Sequence, residues 1–110
     1  MMIFIESKPF DRLREKYLTD AEFRAMQAEI LRNPAAGAVI PGTAGLQKLR
    51  WGMEGKGKRG GLRIIYYLVT ADSRCLLLYL YPKGAQEDLG PDELRLLQGL
   101  VRVYFEARGA

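Results

Sequence analysis

The chain has 110 residues, is 48% hydrophobic and 27% charged, and so carries enough apolar material for one core under a solvated surface. A single cysteine excludes an internal disulfide and a multi-cysteine zinc site, and the absence of histidine removes the commonest general base and metal ligand. The net charge of +4 is unevenly spread: Leu46 to Lys83 holds eight basic and two acidic residues, a net +6, against −2 for the remainder. Such a concentration suits a polyanion-binding surface, although a plain solvated face has the same composition. No apolar run approaches the roughly 20 residues of a membrane span. The start, Met1 to Glu6, lacks the basic residues that open a secretory signal. The expectation is a cytoplasmic, single-domain protein over 1–110, with no cofactor, metal or membrane contact.

Met2 to Ile5 reads as a short first strand. Phe10 to Tyr17 follows as a short helix, with Phe10, Leu13 and Tyr17 at helical spacing. Thr19-Asp20-Ala21-Glu22 is a capping box. The helix it opens carries Phe23, Met26, Ile30 and Leu31 on one face, and Asn33-Pro34 ends it, because the residue before proline disfavours helix. Ala38 to Ile40 is a brief strand before the Pro41-Gly42 turn, and Gly45 to Trp51 is the next strand. Met53 to Gly61 has four glycines among basic residues and reads as a loop or hairpin connection. Leu62 to Val69 is the clearest strand, and Thr70 to Ser73 a turn. Arg74 to Tyr81 is a nearly continuous apolar run, expected inside the sheet. Leu89 and Leu94 can staple the start of a last helix around Gly90, with Pro91 at its first position. Its buried stripe is Leu94, Leu97, Val101 and Tyr104. The order is β-α-α-β-β-β-α, an α+β fold with a small antiparallel sheet, two N-terminal helices and one C-terminal helix.

Strand alternation puts Leu62, Ile64, Tyr66 and Leu68 on one face, facing the helices, and Arg63, Ile65, Tyr67 and Val69 on the other. Arg63 is therefore expected on an open sheet face. Lys48 and Arg50, two apart, share a face, and Lys83 follows Tyr81-Pro82 at the end of the last strand. Adjacent antiparallel strands would gather these cations into one patch, with Tyr67, Tyr79 and Tyr81 as aromatic neighbours according to register. Cations for phosphates and rings for bases are the needs of single-stranded RNA binding. Simpler roles exist for several of these residues: Arg63 paired with a surface carboxylate, Gly60-Gly61 as a hairpin turn, Trp51 buried at a strand end, Tyr66 and Cys75 as core.

The run Gly42 to Trp51 (GTAGLQKLRW), Gly57 to Tyr67 (GKRGGLRIIYY), Leu78 to Lys83 (LYLYPK) and Asp88-Leu89 together resemble the RelE/ParE superfamily of type II toxin–antitoxin toxins. The resemblance covers nearly the whole chain and is to the HigB-like branch of RelE-type toxins. It implies a ribosome-dependent endoribonuclease that cuts mRNA in the A site without a metal, the RNA 2′-hydroxyl attacking the adjacent phosphate. The strand arginine after the paired glycines matches Arg63, implied to hold the scissile phosphate. Lys48 and Arg50 match the basic positions of the preceding strand, for substrate binding and charge stabilisation. Lys83 matches the basic residue closing the last strand, beside the transition state or leaving oxygen. Lys56, Lys58 and Arg59 of the loop, with Tyr67 and Tyr81, are the expected RNA or ribosome contacts.

Guanidinium and ammonium groups stabilise charge gathering on phosphate oxygens without histidine. Proton transfer is the open step: no histidine or carboxylate stands at a matching position, so a lysine of the cluster, Lys48 or Lys83, is the expected carrier. The implied partners are the ribosome with mRNA and a cognate antitoxin, of helix-turn-helix type in this branch, through which alone the protein meets DNA. Two alternatives stay open: a ParE-like inhibitor of DNA gyrase, and a non-catalytic ribosome or RNA binder.

Overall fold

The computed structural model describes residues 2–53, 57–85 and 88–108, with the side chains at 53, 57–60 and 85 left aside. A short strand β1 (Ile3–Glu6) leads into helices α1 (Lys8–Tyr17) and α2 (Asp20–Arg32). Four strands follow: β2 (Ala38–Val39), β3 (Gln47–Met53), β4 (Gly57–Val69) and β5 (Arg74–Pro82). Helix α3 (Pro91–Ala107) completes the described chain. The strands form one sheet in the order β1-β5-β4-β3-β2. It is antiparallel except where β1 runs parallel to β5. The α+β class and element order agree with the sequence reading.

Local chemistry explains the helix ends. The Ser7 hydroxyl accepts from the Phe10 amide (3.1 Å) and donates to the Leu78 carbonyl (2.7 Å), so the α1 cap also ties the helix to β5. The box at Thr19 forms: its amide donates to Glu22 Oε1 and its hydroxyl accepts from the Glu22 amide. Asn33 closes α2 just before Pro34. Pro91 opens α3, and the Gly90 amide donates to Glu93 Oε1 at 2.8 Å.

Both faces of the sheet are covered. Leu62, Ile64, Tyr66, Cys75 and Leu77 pack with Phe10, Phe23, Met26 and Ile30 from α1 and α2. Ile65, Val69, Leu76 and Leu78 pack with Leu97 of α3, and Leu94, Leu100, Val101 and Tyr104 join them. Leu31, expected in the α2 core stripe, is 51% exposed. One residue past Ile30 turns it about 100° around the helix, away from the sheet. The expected loop from Met53 to Gly61 is partly strand, because β4 begins at Gly57 and pairs back to Met53. Gly61 is not a turn glycine: a Cβ there would lie 2.0 Å from the Trp51 carbonyl oxygen, beside a register shift between Trp51 and Met53. Glycine permits that close backbone approach.

Candidate functional site

Register decides which side chains meet. Arg50 on β3 stands directly opposite Arg63 on β4, and Arg63 stands opposite Tyr81 on β5. One step along, Lys48 faces Ile65, which faces Tyr79. Lys48, Arg50, Arg63, Tyr79 and Tyr81 therefore share the α3 side of the sheet. The Arg50–Arg63 pairing concentrates positive charge at one point of the sheet. Pro82 pairs with Leu62, and Lys83 follows it, exposed, at the start of a short 3-10 turn. It closes the Arg63 end of the sheet.

Two placements differ from the sequence expectation. Arg63 lies on the expected face but is buried, at 4% exposure, where an open surface was anticipated. Helix α3 covers this side of the sheet, and the Arg63 Nη1 donates to the Leu62 carbonyl at 3.2 Å. The amphipathic stripe of α3 announces a buried side without saying which sheet face receives it. Tyr67 is also apart from the cluster. It lies four residues along β4 from Arg63, about 13 Å at strand rise, with its ring edge-on to Phe105 at 6.3 Å. Arg50 is exposed and Lys48 half-buried. Lys56 lies outside the described residues, as do the side chains of Lys58 and Arg59, whose backbone belongs to β4.

The structure adds a carboxylate where none was expected. Asp88, on the segment leading into α3, accepts a hydrogen bond from Lys48 Nζ at 2.7 Å. That bond and the ammonium charge hold the Asp88 carboxyl below its ordinary value, with a smaller contribution from Arg63. The pair joins residues 40 positions apart, so no local pattern in the sequence announces it. The only sign was Asp88-Leu89 itself. Beside the pair is a cavity of about 260 Å³, lined by Lys48, Ile65, Tyr81, Asp88, Leu89 and Leu94 among others. Tyr81 is 3% exposed, and among the described residues its hydroxyl has no hydrogen-bond partner. Burial lifts its phenol above the ordinary value, and the Asp88 charge lifts it further.

The arrangement suits a phosphodiester: guanidinium groups for its oxygens, an ammonium beside them, and a half-apolar recess adjacent. Among the described residues no group of three His, Cys, Asp or Glu side chains is placed to hold a metal ion, and no helix is long and apolar enough to cross a membrane. Over residues 1–110 the chain matches the family described as the RelE toxin of the RelE / RelB toxin-antitoxin system.

Proposed function

The chain belongs to the RelE toxin family, and from that premise we propose that it is a ribosome-dependent endoribonuclease cutting translated mRNA in the A site. Membership in a toxin–antitoxin family implies a cognate antitoxin. We further assign the chain to the HigB-like branch, with a helix-turn-helix antitoxin that masks the basic face and is the protein's only link to DNA. The setting for this activity is the cytoplasm.

The observation that carries the reading is the register placing Arg50 directly opposite Arg63, with Lys48 one step away on the same face. In the proposed reaction the RNA 2′-oxygen attacks the adjacent phosphorus, and the bond from phosphorus to the 5′-oxygen breaks. A 2′,3′-cyclic phosphate and a 5′-hydroxyl result, with the 2′-hydroxyl proton lost and one proton delivered to the 5′-oxygen. Negative charge gathers on the non-bridging oxygens, where Arg63 and Arg50 supply the planar, always-charged grip. Burial of Arg63 preorganises its guanidinium and strengthens its field. Lys48 adds a positive charge beside them, and Lys83 serves the leaving oxygen in this reading. The ribosome contributes the codon's alignment, which is the entropic part of the catalysis.

The test is a translating extract in which mRNA 5′ ends are mapped with and without the protein. Cleavage is expected within reading frames and only on ribosomes. Arg63→Ala should lower it by roughly 100- to 1,000-fold, the loss typical of one oxyanion-stabilising donor. Intact mRNA would overturn the reading, and arrested supercoiling in its place would point to gyrase.

A further inference from the structure

We propose that the cavity beside Lys48, lined by Tyr81 and Asp88, is a pocket for one unstacked guanine of the RNA, read by the Asp88 carboxylate and the Tyr81 hydroxyl. The inference rests on the endoribonuclease reading for its substrate and adds a base-selecting site to it.

Among the described residues the Tyr81 hydroxyl is buried without a partner, and the residue lines the cavity. A buried hydroxyl that loses water without gaining a hydrogen bond costs stability, so an unpartnered one beside a cavity points to a partner that arrives later. It stands close enough to Asp88 for the carboxylate charge to act on it. At about 260 Å³ the space is just below the range of pockets for drug-sized ligands, which suits a single ring system. Ile65, Leu89 and Leu94 supply apolar surface against which a flat base can lie. Single-stranded RNA is commonly read in this way, with bases splayed out and recognised along their Watson–Crick edges.

The choice of guanine follows from the polar groups. Asp88 is an ionised, acceptor-only group, held by Lys48 through Oδ1. Guanine alone presents two adjacent donors, N1–H and N2–H, to a carboxylate. Its O6, next to them, accepts from a hydroxyl such as that of Tyr81. Adenine and cytosine each offer one amino group on that edge. Uracil offers one N–H flanked by two oxygens, which a carboxylate repels. Lys48 then has two tasks in one place: its ammonium orients the reading carboxylate and lies beside the phosphate.

Two measurements test the pocket. In the translating extract, a reporter carries each of the four bases in turn at the position next to the cut. The wild type should favour guanine by about tenfold or more, the discrimination of one good bidentate contact. Asp88→Asn should reduce that preference to about twofold or less and redistribute the cuts, and Tyr81→Phe should reduce it partially. Independently of cleavage, guanosine 5′-monophosphate should shift the NMR signals of the Tyr81 ring and of residues around Asp88, with uridine 5′-monophosphate leaving them in place. Cleavage that depends on Arg63 but shows no guanine preference, or a preference that survives both variants, overturns the pocket and leaves the nuclease reading intact. Selective guanosine shifts in a protein that never cuts mRNA support the pocket and overturn the nuclease. Absence of those shifts counts against the pocket whatever the cleavage result.

Discussion

Two tyrosines on neighbouring strands are both buried, and their hydroxyls differ completely. Tyr66 on β4 faces α1 and α2. Its hydroxyl donates to the Pro34 carbonyl (2.7 Å), accepts from the Gly37 amide (2.8 Å), and accepts from Gln47 Nε2 (3.1 Å). Gln47 also donates to the Pro34 and Gly37 carbonyls, so the network ties the chain after α2 to β3 and β4. Gly37 fits this cradle because a Cβ there would lie 2.7 Å from the Tyr66 ring. Tyr81 on β5 faces α3, and among the described residues its hydroxyl has no partner. One face of the sheet uses a tyrosine to complete itself, and the other holds one in reserve beside Lys48 and Asp88. Burial alone therefore does not separate a structural group from a functional one. Hydrogen-bond satisfaction does.

The comparison breaks most visibly at Tyr66. Tyr66→Phe removes one oxygen and strands the Gly37 amide, while the Pro34 carbonyl and the Gln47 amide keep each other as partners. The expected loss is about 2 kcal/mol of folding stability, read from urea unfolding, because stranded buried polar groups bear the full desolvation cost. A loss under about 0.5 kcal/mol would mean that water replaces the hydroxyl and that the two tyrosines are more alike than their contacts indicate. The proposed RNA-cutting activity of the folded fraction should be unchanged, since the network lies on the opposite face from Arg63.

The sequence carried most of the architecture and less of the site. The Thr19 box, the Asn33-Pro34 stop, Pro91 and the β-branched run from Leu62 are local signals, and each produced its element. Alternation along β4 also assigned Tyr66 to the core with Leu62 and Ile64, and Arg63 to the other face. It failed on what lies above that face, because a helix stripe does not name its target surface. It put Tyr67 on the Arg63 face correctly, but distance along the strand sets Tyr67 apart, against Phe105 of α3. Along β5 alternation is interrupted: Ile65 pairs with Tyr79 and Tyr66 with Leu77, so Leu78 is passed over. The pairing of Asp88 with Lys48 was invisible for a different reason. Its partner Lys48 is reached only after β3, β4 and β5 have been laid side by side, and a charge pair formed by tertiary contact leaves no spacing to read.

The second test is smaller and opposite in kind. Tyr81→Phe deletes a hydroxyl that bonds to none of the described residues. Its stability should stay within about 0.5 kcal/mol of wild type or rise slightly, because the desolvation cost of an unpaired group goes with it. A loss as large as that expected for Tyr66→Phe would place a structural partner on Tyr81 and remove the distinction between the two faces.

The smallest effect is electrostatic and follows from Asp88. Burial is the main cause raising the Tyr81 phenol, Asp88 is the next, and the Arg63 charge opposes them. Burial also raises Tyr66, with the Gly37 hydrogen bond pulling it back. Asp88→Asn removes a negative charge that disfavours the Tyr81 phenolate, so Tyr81 should ionise at lower pH than in wild type. Tyr66, on the other face, should not move. A phenol raised by folding contributes stability that is present below its unfolded value, about pH 10, and is lost as pH rises through the folded value. The variant should therefore lose less stability above pH 10 from this group than wild type does. Carbon-13 NMR of labelled tyrosine Cζ atoms resolves the two titrations. If both tyrosines shift together, or neither does, Asp88 does not act on the Tyr81 hydroxyl selectively, and the pairing of carboxylate and hydroxyl in one recess fails with it.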